Sequence, residues 1–566
     1  PSRAHYTTGM KARATEIGWE QKPLRQLVWA EKPYIVMPSV VENSEWWWVF
    51  ISGTIVLILL LVPFLWAYGL SLPGSTFTGV LVSPIDGVSY QAKMYQGLEG
   101  GWLFHLPYTP EQHRGVVLFV FYLGLGHLAR LLNVPATLVF HTARLTGSML
   151  MFLAFYRLIA HYTDDVPQRR ITWLLGVLGA GLGWIALLFR HVSPDLLILP
   201  EAFPLQAAYA NAHFPWALAC ALLVAHILLG KWLAETNDYP DLNIETAALA
   251  ASTVILVSTS PFVLLPLGVG AVVLFVWIWQ QRGQFPQRQF GWGLVVLLFG
   301  LPLAAYNTWA ISGANPVFHA WMQQNVTPSP PVGDYLVAFG PMLALALIAI
   351  WVSRRLLQPR DLFLLGWLAS AGVLLYAPLG LQRRFAMGLM FPLAIYAGRG
   401  LWRVVLPRVT EQWKVFGVVL AFTIFLPTTI IAIILPMMTS LSLSQQGGGP
   451  YFVQQGELQA MAWLEAHDPG ALVLASPETS LFLPVYGLRV VYGHPFETLH
   501  AERRRQSVEA FYRGWDCSVV AEEGVEYVLV GPREHRLSPG EMCPVGGEIA
   551  FESSDGKVTL YAAQGG

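Results

Sequence analysis

Long apolar runs, separated by short polar segments, fill most of the chain between residues 46 and 437. Each run is about 17–25 residues long, which is the length that an α-helix needs to cross a bilayer. The pattern predicts an all-α polytopic membrane protein with about eleven spanning helices. We place these helices at 46–69, 138–160, 171–190, 215–235, 243–260, 261–281, 290–311, 335–353, 361–379, 386–404 and 414–437.

The pattern changes after the last predicted span. Residues 440–449 are rich in Ser, Gln and Gly, which is typical of a linker. Beyond it, short runs predict a small α/β domain over 450–566. The chain is thus divided into an N-terminal segment 1–45, a membrane domain 46–439, the linker and the α/β domain. In that domain we expect helices at 453–467 and 498–513 and strands at 471–475, 488–492, 525–530, 548–552 and 557–562.

Composition agrees with a membrane protein. Hydrophobic residues make up 54% and charged residues 12%, and the mean hydropathy is +0.49. So much apolar surface with so little charge excludes a soluble protein. The net charge of −1 excludes a global positive field that would attract nucleic acid. Cys220 lies in an apolar run, so Cys517 and Cys543 remain to form at most one disulfide.

The distribution of Lys and Arg decides the predicted topology. Segment 116–132 is apolar and long enough to cross, but a crossing there would turn the basic loops after residue 161 outward. We therefore expect 116–132 to lie along the outer interface or to re-enter. The N-terminal segment, which we do not expect to be a cleaved signal peptide, is then cytoplasmic, and the C-terminal domain is extracytoplasmic. The outer loops are 70–137, 191–214 and 312–334.

Asp86 is the first candidate for chemistry. It lies in the sequence Ser-Pro-Ile-Asp-Gly of the first outer loop, just before a predicted interfacial helix at 88–97. A carboxylate at the membrane face could act as a general base or hold a metal ion. The alternative is an ordinary acid in an Asp-Gly turn, and the sequence leaves both interpretations open.

Arg383 and Arg384 form the second candidate. They lie at the outer end of the ninth predicted span, against the trend that places basic residues inside. A planar guanidinium binds phosphate through paired hydrogen bonds, so we expect an anionic ligand here. The alternative is that both side chains reach lipid headgroups.

Other polar residues fall on the same outer face under this topology. For the histidines and for Arg144, a structural or anchoring role is the alternative to a functional one. A transporter is disfavoured, because these residues gather at one face rather than at mid-membrane. The residues are Tyr90, Lys93, Glu99, His141, Arg144, Glu201 and His213.

The order and sidedness of these features resemble the GT-C glycosyltransferases. This superfamily includes protein mannosyltransferases, the aminoarabinose transferase of lipid A and the catalytic subunit of oligosaccharyltransferase. The chain is most similar to an uncharacterised bacterial branch. The features are Asp86 followed by Tyr90, His213-Phe214 at the fourth span, Gln-Arg-Arg-Phe at 382–385, and Gly-His-x-x-Glu-Thr at 493–498.

The resemblance implies an enzyme that moves a sugar from a polyprenyl-phosphate donor to an extracytoplasmic acceptor. Asp86 would be the base, with Arg383 and Arg384 as donor-phosphate ligands. Lys93 and His213 would help to bind that phosphate. Secondary candidates are Tyr90, Glu99, His141, Arg144 and Glu201.

One departure from the family leaves alternatives open. Many relatives place a second acid beside the first-loop Asp, whereas the neighbour here is Gly87, with Glu99 or Glu201 as substitutes. A divalent cation, Mg²⁺ or Mn²⁺, at Asp86 is therefore an open expectation. The alternative function is a non-catalytic, GT-C-like subunit of a larger membrane complex. The sequence does not specify the sugar or the acceptor.

Overall fold

The computed structural model describes residues 40–71, 73–234, 238–538, 540–545 and 547–563. Most of the predicted cytoplasmic segment, residues 1–39, lies outside these ranges. The helices of the membrane domain are α1 Asn43–Gly69, α2 Pro84–Leu98, α3 Val120–Leu132, α4 Ala136–Ile159, α5 Val166–Leu178, α6 Gly183–Leu188, α7 Pro204–Tyr209, α8 His213–Leu233, α9 Ile244–Thr259, α10 Leu264–Arg282, α11 Gln287–Ala310, α12 Pro316–Gln324, α13 Val332–Ser353, α14 Pro359–Leu374, α15 Met390–Arg399 and α16 Glu411–Gln445.

The C-terminal domain adds five short helices and most of the strands. Its helices are α17 Gln455–His467, α18 Pro477–Ser480, α19 Ala501–Tyr512, α20 Val519–Glu523 and α21 Pro532–Leu537. The strands of the chain are β1 Ser75–Phe77, β2 Phe452–Gln454, β3 Leu472–Leu474, β4 Arg489–Val490, β5 Tyr527–Val530, β6 Ile549–Glu552 and β7 Thr559–Ala562.

Nine helical segments among the described residues are long and apolar enough to cross a membrane. They coincide with nine of the predicted spans and confirm a multi-pass membrane protein. The other two predicted spans, 243–260 and 361–379, correspond to α9 and α14, which have 16 residues each. The nine segments are Asn43–Gly69, Ala136–Ile159, Val166–Leu188, His213–Leu233, Pro261–Arg282, Gln287–Ala310, Val332–Ser353, Gln382–Arg408 and Glu411–Gln445.

Helix α3 occupies the segment that was predicted not to span. It has 13 residues, so it is about 20 Å long, against about 30 Å for the hydrocarbon core. It packs closely on α2 through two glycines. A Cβ on Gly97 would lie 2.0 Å from the Leu123 carbonyl oxygen, and one on Gly126 would lie 2.0 Å from that of Met94. Helix α3 therefore packs closely along α2 and is shorter than the helices that are long enough to cross a membrane.

The third span is interrupted between α5 and α6. The buried Asp195 carboxylate accepts hydrogen bonds from the backbone N–H groups of Gly181, at 2.8 Å, and Gly183, at 3.2 Å. The first N–H groups of a helix have no partner within it, so this carboxylate stabilises the start of α6. Asp195 thereby fixes the outer loop that leads to α7.

Helix α16 runs 35 residues and enters the segment that was predicted as a linker. The Thr439 hydroxyl donates to the Leu435 carbonyl at 2.9 Å, and that of Ser440 to Met437 at 2.8 Å. Such bonds to the preceding turn keep polar residues within a helix. Only residues 446–449 connect α16 to the C-terminal domain.

The C-terminal domain is built on a five-stranded mixed sheet in the order β4-β3-β5-β7-β6. Strands β4, β3 and β5 are parallel, whereas β7 is antiparallel to β5 and to β6. A disulfide joins Cys517 to Cys543. The predicted α/β fold of this domain is therefore confirmed.

The first outer loop and the C-terminal domain pack together at one end of the membrane domain. Strand β1 of the loop pairs antiparallel with β2, with Phe77 opposite Phe452. The Tyr108 hydroxyl donates to the Leu481 carbonyl at 3.0 Å, and Arg504 lies 2.6 Å from Glu111. The C-terminal domain therefore packs against the first outer loop on both sides of α2, and it contacts α2 itself through Glu497 and Lys93.

Basic residues meet at the other end of α1. Arg169 lies 3.0 Å from Glu45, and Arg399 lies 2.9 Å from Asp361. The Arg403 Nε donates to Gln168 Oε1 at 2.8 Å. The segments that were predicted to lie inside thus contact one another at a single end.

Candidate functional site

Asp86 lies in the first turn of α2. Pro84 is the first helical residue, where its missing N–H costs no hydrogen bond. The helix therefore begins four residues earlier than predicted, and the Asp-Gly pair is helical rather than part of a turn. The partial positive charge of a helix N-terminus favours a carboxylate at this position. The Asp86 side chain is 48% exposed.

Gly87 leaves no room for a second acid beside Asp86. A Cβ at this position would lie 2.2 Å from Cγ1 of Val80, and Val80 is only 2% exposed. Because the contact is with a packed side chain, a larger residue would force the loop away from the helix. The contact with Val80 therefore excludes a second acid at this position for steric reasons.

His494 of the C-terminal domain faces Asp86. Its Nε2 lies 3.5 Å from Asp86 Oδ1. Its Nδ1 accepts hydrogen bonds from the backbone N–H groups of Phe496, at 3.1 Å, and Glu497, at 3.2 Å. Since Nδ1 is an acceptor, the proton of the neutral imidazole is on Nε2, toward Asp86.

Lys93 and Glu497 form a buried ion pair two helical turns after Asp86 along α2. The Lys93 Nζ lies 2.6 Å from Glu497 Oε1, and Lys93 is fully buried. The Ser89 hydroxyl also donates to this carboxylate. Lys93, which was predicted to help bind a donor phosphate, thus has its ammonium directly paired with an acid.

The ionisation of both acids follows from these neighbours. Partial burial raises the pKa of the Asp86 carboxyl, but the neighbouring imidazole N–H of His494 and the charges of Lys93 and Arg384 outweigh this effect. The pKa of Asp86 therefore lies below its ordinary value, and the group is ionised at neutral pH. Burial likewise raises the pKa of Glu497, and the charge of Lys93 chiefly reverses this, to a net lowering.

Arg383 and Arg384 lie in a short 3₁₀ turn, Gln382–Ala386, between α14 and α15. The backbone N–H of Arg383 donates to the Thr327 carbonyl at 3.2 Å. Both Nε atoms are buried without a hydrogen-bond partner. Within the described part of the chain, neither guanidinium forms an ion pair. Buried guanidinium donors without a partner are costly, so this turn is suited to bind an anion.

Glu201 faces the same turn from the loop before α7. Burial raises the pKa of its carboxyl, although the charges of Arg384 and Arg383 oppose this. The negative charge of Asp86 also raises the pKa of Glu201. The electrostatic influence of Arg384 on both Asp86 and Glu201 indicates that the outer loops converge around this guanidinium.

An aromatic group lies on the same face of α2, between Asp86 and Lys93. Tyr90 stacks on Tyr122 with ring centroids 4.3 Å apart. The Tyr122 hydroxyl lies 2.7 Å from His213 Nδ1, and the His213 ring is 5.0 Å from that of Tyr90. The sequence-predicted residues Tyr90 and His213 therefore contact each other.

Of the remaining predicted residues, His141 and Arg144 contact backbone carbonyl groups, and Glu99 lies at the far end of α2. The His141 Nε2 lies 2.9 Å from the Gly79 carbonyl oxygen. The buried Arg144 donates to the carbonyl of Ala208 at 2.7 Å. Glu99 ends α2, about 20 Å from Asp86 at the rise of an α-helix. The structure does not bring Glu99 to Asp86 as a second acid.

The described residues do not fit a metal centre of several protein ligands. Among them, no group of three or more His, Cys, Asp or Glu residues could hold a metal ion. Asp86 has one such neighbour, His494, and that imidazole directs a proton rather than a lone pair toward it. We therefore derive no chemical step through a metal ion.

The structure brings His494 to Asp86 and Glu497 to Lys93, two residues that the sequence indicated only as part of a motif and not as predicted site residues. His494 and Glu497 belong to the Gly-His-x-x-Glu-Thr motif, which is more typical of a strand, turn and helix cap. Thr498 does stabilise the turn, because its hydroxyl accepts from the N–H groups of Gly493 and His494 at 3.2 Å each. Glu497, however, is an ion-pair partner and not a cap. Only the motif itself could have indicated these residues.

Comparison with known proteins gives matches in structure. No model of a known family matches the chain, and no curated protein matches it in sequence. The crystal structure of ArnT from Cupriavidus metallidurans bound to undecaprenyl phosphate matches with a TM-score of 0.50 and 12% identity. The match covers 92% of this chain and 98% of ArnT.

The archaeal oligosaccharyltransferase AglB from Archaeoglobus fulgidus, in complex with an inhibitory peptide and a dolichol-phosphate, is a more distant match. Its TM-score is 0.47 and its identity 13%, over 90% of this chain and 74% of AglB. The likeness to ArnT extends over nearly all of both chains. It shows that this protein has a GT-C-like fold, as the sequence predicts.

Proposed function

We propose that this protein is a membrane glycosyltransferase that moves a sugar from a polyprenyl-phosphate donor to an extracytoplasmic acceptor. One observation carries the proposal: the Asp86 carboxylate lies near enough to Arg384 to be influenced by its charge, and Arg383 and Arg384 form a turn in which both Nε atoms are buried without a hydrogen-bond partner. A transferase of this class needs both a base for the acceptor and a cation for the leaving phosphate.

Asp86 acts as the general base. It takes the proton of the acceptor hydroxyl as the new bond forms between that oxygen and the anomeric carbon. The bond between the anomeric carbon and the phosphate oxygen breaks, and its electron pair leaves with the phosphate. The lowered pKa of Asp86 keeps the carboxylate ionised at neutral pH, so that it carries no proton of its own when the acceptor binds.

Arg383 and Arg384 bind the donor phosphate and stabilise the charge that it gains. Their free Nε atoms supply the donors for a phosphate oxygen. Lys93 adds positive charge near Asp86, and the membrane domain with its first outer loop holds the lipid. The C-terminal domain, over residues 450–566, contacts α2 and closes the site.

The site faces the extracytoplasmic side in this proposal. The disulfide between Cys517 and Cys543 supports this orientation, because such bonds persist in oxidising compartments. The basic segments that meet at the opposite end, near Arg169 and Arg399, support a cytoplasmic location for that end.

The test uses the full-length protein in lipid nanodiscs. Undecaprenyl phosphate linked to a neutral hexose, an amino-pentose or an N-acetylhexosamine is supplied with the cell-envelope fraction of the source cells. Mass spectrometry follows the release of undecaprenyl phosphate. We expect turnover of at least one donor and a loss of about 10²- to 10⁴-fold in Asp86→Asn. Glu99→Gln, at the far end of α2, is the control and should keep full activity.

Two results would overturn the proposal. One is the absence of turnover with every donor, and the other is undiminished turnover by Asp86→Asn. Either result would favour the alternative, a non-catalytic GT-C-like subunit of a larger membrane complex.

A further inference from the structure

One loop of the C-terminal domain contacts α2 at two points. His494 meets Asp86 with its Nε2, 3.5 Å from Oδ1, and Glu497 meets Lys93 at 2.6 Å. Asp86 and Lys93 are two helical turns apart, so both side chains lie on one face of α2. The loop therefore matches the spacing of the helix, and the register between the two is fixed.

The imidazole of His494 has one donor, and that donor faces Asp86. Its side chain is 2% exposed. Its Nδ1 is occupied by two backbone N–H groups, whereas its Nε2 is buried and has no hydrogen-bond partner at the 3.5 Å separation from Asp86 Oδ1. Hydrogen bonds of catalytic groups are often long before substrate binds and shorten in the complex. The separation of 3.5 Å from Asp86 Oδ1 suits such a contact.

We infer that His494 is a positioning residue for Asp86, supplied to the membrane domain by the C-terminal domain. Its Nε2–H holds Oδ1, which leaves Oδ2 to take the proton of the acceptor hydroxyl. This inference rests on the proposed function of Asp86. The other charged and titratable groups that act on this carboxylate and its surroundings are Lys93, Arg384, Glu497, Tyr90 and Glu201.

Two substitutions separate the roles of the imidazole nitrogens. In His494→Asn, the amide oxygen replaces Nδ1 as the acceptor within the loop, but the donor to Asp86 is lost. In His494→Gln, the longer amide carries an N–H toward Asp86 and does not reproduce the Nδ1 acceptor. The test compares kcat and KM of both variants in the release of undecaprenyl phosphate from the donor that the wild-type protein turns over.

We expect His494→Asn to lower kcat by about 10- to 100-fold, the value of one hydrogen bond to a charged group, with KM for the donor unchanged. His494→Gln should recover part of this loss. Wild-type kcat in His494→Asn would overturn the inference. So would an equal loss in both variants, or a loss that appears only in KM, because each indicates a role in the loop and not on Asp86.

A second measurement does not depend on activity. In Asp86→Cys/His494→Cys, a short bifunctional methanethiosulfonate should link the first outer loop to the C-terminal domain in intact membranes. Glu99→Cys/His494→Cys is the control pair and should not be linked. Absence of a link in the first pair would overturn the inference even if the protein is an active transferase. If no donor is turned over, the proposed function fails and the link alone decides whether the two residues meet.

Discussion

The Lys93 ammonium lies 2.6 Å from the Glu497 carboxylate, across 404 residues of chain. Lys93 is on α2 of the membrane domain, and Glu497 is in the C-terminal domain. The Lys93 Nζ also lies 4.6 Å from the centre of the Phe119 ring. The two domains are therefore joined by a charge pair in an aromatic, water-poor setting, where each partner depends on the other.

Glu497→Gln should destabilise the protein, because it leaves the Lys93 ammonium buried without its counter-charge. Loss of one partner of a buried ion pair costs about 3–5 kcal/mol. The measurement is the apparent Tm in detergent. Lys93→Met combined with Glu497→Met should recover much of the loss, since the remaining charge is removed. The control is Glu411→Gln, in an exposed pair with Lys414, which should leave Tm unchanged.

The effect of Glu497→Gln should also depend on pH. The pKa of Glu497 is lowered in the folded protein, chiefly by Lys93 against the opposing effect of burial. A lowered pKa contributes stability that is present above the ordinary value of 4.5 and is lost as the pH falls through the folded pKa. The difference in Tm between wild type and variant should therefore be full at neutral pH and shrink below pH 4.5. A constant difference would contradict this assignment.

Gly87→Ala tests the tight contact beside Asp86. The added Cβ would lie 2.2 Å from Val80 Cγ1. Overpacking of this kind costs about 1–3 kcal/mol, so we expect a lower Tm in thermal unfolding. The second change, Val80→Ala, removes the opposing methyl groups and should restore stability in the double variant. An unchanged Tm in the single variant would mean that Val80 and its loop move away from the added Cβ with no loss of stability.

Local patterns predicted most elements of the fold. Strand β5 was expected at 525–530 and is Tyr527–Val530, because its run of β-branched and aromatic residues suits a buried strand. Hydropathy alone ended the last span at 437, whereas α16 continues to Gln445. Hydropathy counts Ser and Thr as polar and does not register their bonds to the preceding turn.

The candidate site was predicted only in part, for a physical reason. Asp86, Arg383 and Arg384 were recognised because each breaks a local rule of charge or position. His494 and Glu497 break none, and their partners lie about 400 residues earlier in the chain. A pairing over such a distance depends on how two domains pack, and neither periodicity nor composition encodes that packing.

The predicted sidedness can be tested with reporter fusions. A reporter placed after Gly449 should be active only outside the cytoplasm, and one placed after Arg170 only inside. The basis is the positive-inside rule, together with the length of α3, which is too short to cross. Activity is measured in intact cells with a periplasmic and a cytoplasmic reporter at each site. The reverse pattern would contradict the proposed location of the site.

Arg383→Gln and Arg384→Gln should each weaken the binding of undecaprenyl phosphate by about 1.5–3 kcal/mol, the value of a charge-assisted hydrogen bond. Arg383→Lys and Arg384→Lys should bind undecaprenyl phosphate more tightly than the Gln variants but less tightly than the wild type. The reason is that an ammonium keeps the charge and loses the paired donors. Arg130→Gln, on the exposed side of α3, is the control for lipid contact and should have no effect. Affinity is measured in nanodiscs by native mass spectrometry, with undecaprenol as the ligand without phosphate. If the Lys and Gln variants both bind undecaprenyl phosphate as tightly as the wild type, both arginines are membrane anchors and the proposed donor site is wrong.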